Sequence, residues 1–409
     1  MDVVASYRAK AYCDHLYASG IRPTLITHRW ESSVQGFDCH DPNDDIVVEK
    51  SEKFDVIRLP FPGLKASNSR WHSIACYLSG NLDVELVSSY KIFRSFLHQH
   101  LKEHHYDAIL GIFNPHFSLK LACECGRAFR IPYILDFRDL WDNDILTKSY
   151  RPSWKKRVLD FIIAYWWRKW LRDCLFFSTT GDKWRNFISK MTTRPGIVVR
   201  NGIDNLFCAQ AARPKRAAKT FKIIHFGNFY QGQDPTIFLK GFRRFAHELN
   251  SDQVRVEIIG FKNRASDLVK DTFVRYLGDF VRFVPYMPKQ QLASYCQNQA
   301  ALFFFPGFRE DNGQFCVKVY DYVSMGRNVI VSPGEGDMGA FVKEVGAGLV
   351  TNDELEIAQY LHDCYDQWRQ TGSVAWNVDE KKCIQFTRRE QVRVLAEEVR
   401  SFLRSQARF

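Results

Sequence analysis

The chain has 409 residues, of which 45% are hydrophobic and 25% charged, and its formal net charge is +11. That length exceeds one ordinary hydrophobic core and predicts two domains of roughly 200 residues each, while the composition excludes a disordered chain. No apolar run reaches the roughly 20 residues of a membrane span, and the start MDVVASYRAK lacks the basic and apolar regions of a signal peptide.

Eleven cysteines are spread from Cys13 to Cys383 without any Cys-x-x-Cys pair. This pattern suits reduced thiols in a cytosol better than a disulfide framework or a zinc site. The positive charge comes without a nucleic-acid-binding motif. It favours phosphate-bearing small molecules, with an anionic membrane surface as a second partner, over nucleic acid.

Short apolar runs alternate with helical stretches, the rhythm of parallel sheets covered by helices. In the first half a helix over Tyr7–Ser19 ends at Gly20, and strands are expected at Thr24–His28, Phe54–Leu59, Tyr106–Ile112, Pro132–Phe137, Leu175–Thr179 and Ile197–Arg200. The second half restarts with Phe221–Gly227, Val254–Gly260, Val281–Pro285, Ala300–Pro306, Asn328–Ser332 and Gly348–Val350. Between them a polar, basic, proline-containing stretch near 202–219 marks the domain boundary. A doubly wound domain opens with a buried strand, yet the first helix follows the start methionine too closely to leave room for one. Either that strand is missing or the N-terminal sheet is one strand short.

Several segments together resemble the retaining GT-B-fold glycosyltransferases, in particular glycosyltransferase family 4. They are ASYRAKAYCDHLYASG, YDAILGIFNPHFSLKLA, IPYILDFRDLWDND, VVRNGIDNLF and VKVYDYVSMGRNVIVSPGEG. The resemblance implies an α/β, GT-B-like chain of two facing Rossmann-type domains with an interdomain cleft. Residues 1–202 would bind the acceptor, 203–385 would bind a nucleoside diphosphate sugar, and 386–409 would form a closing helix that crosses back.

A helix starting near Phe315 places Lys318 in its first turn and Asp321 one turn later. Helix N-termini attract anions, so Lys318 suits a diphosphate and Asp321 a ribose diol; a solvated Lys/Asp pair is the plain alternative. The family's motif sets one glutamate ahead of a second acid, and Asp321 takes the second place. The first place falls on Gly313, with Glu310 and Asp311 just upstream as substitutes for sugar contact. Gly227 ends an apolar strand, and with Asn228 it suits a phosphate turn. The basic residues many family members carry after it are reduced to Lys240. Gly334 and Gly336 form a glycine-rich turn before a helix expected at Ala340–Glu344.

On the acceptor side, Asp136, Arg138 and Asp139 follow an apolar strand. Arg138 is the anion contact, Asp139 the acceptor-hydroxyl contact or base, and Asp136 an acceptor contact; an Arg138–Asp139 ion pair that shapes the loop is the alternative. His116, after Asn114 and Pro115, and Arg8, in the first helix, are further candidates. No Asp-x-Asp metal motif stands in a telling place, so no metal or other cofactor is required beyond the donor. The stretch Trp154–Cys174 mixes basic and aromatic residues and fits either a core face, through Phe161, Ile162, Ile163 and Trp166, or an anionic membrane surface.

The implied activity is sugar transfer to a carbohydrate or lipid-linked acceptor during surface-polysaccharide assembly, on the cytoplasmic side. A sugar-nucleotide epimerase of the same fold and a non-catalytic relative that binds a nucleotide sugar or glycan stay open.

Overall fold

A computed structural model describes residues 4–29, 45–64, 69–203, 219–260 and 264–406. The expected boundary segment lies mostly outside the described residues. The chain forms two compact units. Unit 1 contains the described parts of Met1–Asn143, Ser149–Asn201 and Arg388–Phe409, and unit 2 those of Asp144–Lys148 and Gly202–Thr387.

Unit 1 runs α1 (Val4–Leu16), β1 (Thr24–His28), β2 (Val47–Lys50), β3 (Asp55–Leu59), α2 (Arg70–Leu78), α3 (Val87–Glu103), β4 (Ile109–Phe113), α4 (His116–Phe129), β5 (Tyr133–Phe137), α5 (Trp154–Leu171), β6 (Phe177–Thr179), α6 (Asp182–Ser189) and β7 (Gly196–Val198). Its strands form two sheets, ordered β1-β3-β2 and β4-β5-β6-β7. All pairs are parallel except β2 with β3. Among the described residues β1 pairs only with β3 and β4 only with β5, and no strand precedes α1. Helix α1 gives way to a 3-10 turn, and Gly20 at φ 74° closes it by donating its N–H to the Tyr17 carbonyl, a left-handed stop that suits glycine.

Unit 2 runs β8 (Phe221–Phe226), α7 (Thr236–Phe245), β9 (Val254–Ile259), α8 (Arg264–Leu277), β10 (Val281–Val284), α9 (Lys289–Gln299), β11 (Leu302–Pro306), α10 (Val317–Ser324), β12 (Val329–Ser332), α11 (Asp337–Val345), β13 (Gly348–Val350), α12 (Glu354–Thr371) and α13 (Glu380–Gln385). Six parallel strands lie in the order β10-β9-β8-β11-β12-β13. Successive side chains of a strand point to opposite faces, so β8 feeds two cores. Ile224 and Phe226 join Phe303, Val319 and Phe341 on one face, and Phe221 and Ile223 join Phe238, Phe304 and Leu361 on the other. The central strands are largely apolar because both faces are covered.

Helix α14 (Arg388–Gln406) belongs to unit 1. Its Val392, Leu395, Ala396 and Val399 recur at helical spacing and pack on Ala11, Tyr12 and Leu16 of α1. Among the described residues no helix is long and apolar enough to cross a membrane.

Candidate functional site

In an open parallel sheet, ligands collect beyond the carboxyl ends of the strands where the winding direction reverses. In unit 2 that point lies between β8 and β11, whose neighbours on either side are wound outward in opposite directions. The two loops that leave these strands are stitched together. Asp234 donates its N–H to the Gly307 carbonyl at 3.0 Å, Arg309 donates its N–H to Gly232 at 2.9 Å, and Gln233 Nε2 donates to Pro306 at 2.7 Å. Arg309 also pairs with Asp234 at 2.9 Å. This clasp was not anticipated from sequence, since its partners lie on separate loops.

Lys318 sits in the first turn of α10, which starts at Val317, two residues after Phe315. Its ammonium donates to the Asn228 carbonyl and stands 4.8 Å from the centroid of the Tyr230 ring. Gly227, at φ 83°, makes room for it: a Cβ there would lie 2.9 Å from Lys318 Cε. Lys318, Gly227 and Asn228 are thus brought together, with Tyr230 added. Among the described residues no carboxylate pairs with this ammonium. Removal from water lowers the Lys318 pKa from 10.5 to about 8. Beneath it His225 is fully buried, with Nδ1 at 3.1 Å from both the Phe304 carbonyl and the Tyr322 hydroxyl. Burial first, and the Lys318 charge second, push its pKa well below 6.5 and hold the imidazole neutral. Asp321 lies one turn beyond Lys318 on the same short helix and is half-buried. Lys240 is elsewhere: it lies on α7, 3.8 Å from Glu354.

The loop between β11 and α10 meets the glycine-rich loop after β12. Asp311 turns back on its own segment, accepting from the Gly313 N–H at 2.9 Å. A Cβ on Gly336 would lie 2.7 Å from Asp311 Oδ1, so the two loops touch. Gly313 has φ 75°, a left-handed backbone that favours glycine over a glutamate. The missing acid is therefore matched to the loop's shape. Gly334 donates its N–H to Asn352 at 2.7 Å, and a Cβ there would strike Val350. It serves loop packing, while Gly336 borders Asp311. Helix α11 begins at Asp337, earlier than expected. Glu310 is half-buried on the same loop.

In unit 1, β4 and β5 are neighbours in register, Phe113 opposite Phe137. The segments after them, one leading to His116 at the start of α4 and the other to Arg138 and Asp139, therefore leave the sheet at the same edge. Arg138 pairs with Asp139 at 3.4 Å, the loop-shaping arrangement. Burial raises the Asp139 pKa above 3.8, against the pull of Arg138 and Arg8. His116 Nδ1 lies 3.0 Å from Asp83, whose other oxygen accepts the Phe117 N–H at 2.8 Å. Its Nε2 is buried and has no hydrogen-bond partner among the described residues. Asp83, set before α3, carried no sequence signal.

Asp136 and Arg8 require correction as acceptor contacts. Both are buried, and they hold each other through two bonds of 2.6 and 2.7 Å. Tyr12 and Ser178 donate to the same carboxylate at 3.0 and 2.7 Å, and Arg8 also donates to the Val199 carbonyl at 2.8 Å. Every strong group of the pair is spent inside the unit. Their role is to join α1, β5 and the β6–β7 region. On α5 the expected inward face also changes: Ile163, Trp167, Trp170 and Leu171 are buried, whereas Phe161 is 69% exposed on the opposite side. Among the described residues no group of three or more His, Cys, Asp or Glu side chains is set to hold a metal.

Residues 220–367, most of unit 2, match the family model of glycosyl transferases group 1. No curated protein matches the chain. Among solved structures it is similar to HepE of Anabaena in complex with UDP-glucose, at 16% identity over 77% of this chain and 82% of that one, with a TM-score of 0.50. HepE in complex with UDP aligns at 14% identity over 93% of this chain and 100% of that one, TM-score 0.57. The UDP-forming α,α-trehalose-phosphate synthase of Burkholderia xenovorans aligns at 12% identity over 93% and 98%, TM-score 0.58. At these identities the structural likeness is one of fold. Residues 220–367 thus carry a domain that matches glycosyl transferases group 1, within a chain that shares the GT-B fold of these structures.

Proposed function

We propose that the chain transfers a sugar from a nucleoside diphosphate sugar, of the UDP type, to a carbohydrate or lipid-linked acceptor with retention. The observation that carries this reading is Lys318: a cation without a carboxylate partner, set against the Gly227–Asn228 turn at the switch point of unit 2. A diphosphate supplies the counter-charge the ammonium lacks, and the first-turn N–H groups of α10 add to it. Structural relatives solved with UDP and UDP-glucose support the uridine nucleotide.

Asp321 takes the ribose, and Glu310, Asp311 and the Gly336 turn meet the donor sugar. In unit 1, Asp139 contacts the acceptor hydroxyl, with Arg138 holding its charge and His116 at the same sheet edge. The sugar carbon's bond to the diphosphate oxygen breaks as its bond to the acceptor oxygen forms on the same face. The acceptor proton passes to the departing diphosphate, which leaves as the nucleoside diphosphate. Lys318 stabilises the charge that gathers on this leaving group. No step calls on a metal. Surface-polysaccharide assembly on the cytoplasmic side is the setting that fits.

The test is incubation with a panel of nucleotide sugars and glycan or lipid-linked acceptors, read by nucleoside diphosphate release. Acceptor-dependent release supports transfer. Donor binding without turnover across the panel replaces transfer by a binding role.

A further inference from the structure

Helix α5 carries two apolar faces, and the core uses only one. Trp154, Val158, Phe161 and Tyr165 recur every three to four residues along the opposite side and are 72%, 51%, 69% and 50% exposed. At about 100° per residue they make one narrow stripe. Exposed Arg157 and Arg168 border it on one side and exposed Lys155 and Lys169 on the other. The acidic residue of the helix, Asp160, is turned away and bound by Trp141, Tyr150 and Lys156.

Helix α2, which packs beside α5, carries a second exposed apolar row. Its Trp71, Ile74 and Leu78 are 81%, 47% and 74% exposed, again at helical spacing, and the helix contains no acid. The two helices meet directly: Trp166 of α5 donates its indole N–H to the Tyr77 carbonyl at 2.8 Å and covers Gly80. Seven large apolar side chains, three of them tryptophan or phenylalanine, are thus held in water on two neighbouring helices. An exposed apolar surface of this kind marks an interaction site.

We propose that the α2–α5 surface of unit 1 docks on an anionic lipid bilayer. The charge pattern chooses this partner. A basic border around tryptophan, tyrosine and aliphatic side chains fits a membrane interface, where the rings enter the headgroup region and the cations meet lipid phosphates. Trp166, beneath Lys169 at 4.5 Å, keeps one of those cations on the rim. Arg172 contributes less, since Asp173 pairs with it at 3.0 Å. Docking stands apart from the donor-site reading: it needs neither nucleotide nor turnover.

The full chain is sedimented with vesicles of phosphatidylcholine alone and of phosphatidylcholine mixed with phosphatidylglycerol. Binding to the anionic vesicles well above the neutral ones, weakened by salt, is expected. Lys155→Gln and Arg157→Gln each lower that binding by about fivefold, from ~1 kcal/mol per basic residue near a charged surface. Trp154→Ala with Phe161→Ala lowers it by about tenfold or more. Equal sedimentation of the native chain with both vesicle types overturns the proposal, and that result needs no variant. So does undiminished binding by the substituted chains with native melting curves. A dimer seen by sedimentation velocity without lipid, and lost in the Trp154→Ala/Phe161→Ala chain, assigns the surface to a second copy instead and also overturns it.

Discussion

An ammonium withdrawn from water without a counter-charge releases its proton more readily, and Lys318 shows that effect with a pKa near 8. Below that value the buried charge burdens the folded state. The burden is relieved as pH rises from about 8 toward 10.5, the ordinary lysine value. A bound diphosphate reverses the balance by favouring the charged form. Donor-nucleotide binding at pH 8.5 should therefore take up a proton, and affinity should fall as pH climbs above about 8. Calorimetry of UDP binding in two buffers of different ionisation enthalpy measures the uptake, which Lys318→Ala should abolish. Arg8 meets the opposite surroundings: burial opposes its charge, but Asp136 and Tyr12 more than restore it. Asp136→Ala leaves that guanidinium buried and unpaired, and urea unfolding should show a loss of about 3–5 kcal/mol. The residue types at Lys318, Asp139 and His116 were legible in the sequence. The Arg8–Asp136 pair was not, because its partners stand 128 positions apart and only folding joins them.

Elements dominated by one periodicity were the easiest to read. Strands β8, β9 and β11 are largely apolar and buried because both faces of the sheet are covered, with Lys222, His225, Arg255 and Glu257 as the polar interruptions. Strand β2 escaped notice: its VVEK sequence is short, largely exposed and held by antiparallel pairing to β3. Helix α5 was legible as a helix but not in orientation, since an apolar stripe on each side makes either face a plausible inner one. The loop before α10 explains the displaced acid, for Gly313→Glu must force a left-handed backbone on a residue with Cβ. Thermal unfolding should show that substitution to cost roughly 1–2 kcal/mol. At the other end of the chain, Leu395 is 1% exposed where α14 packs on α1. Leu395→Ala should destabilise unit 1 by about 2–5 kcal/mol in chemical unfolding.

At the scale of the molecule, the alternation of strands and helices carried the fold class, since helices on both faces of parallel strands demand it. The strand order of unit 2 adds what alternation alone does not contain: the reversal between β8 and β11 that sets Gly227 and Lys318 side by side. On the proposed reading the Lys318 ammonium at that reversal is where the donor phosphates bind. The most direct measurement is the affinity of UDP for the native chain and for Lys318→Ala at pH 7, by titration calorimetry. The account predicts binding by the native chain and at least about tenfold weaker binding by the variant, the loss of one charge-assisted contact. UDP affinity unchanged by the substitution would contradict it.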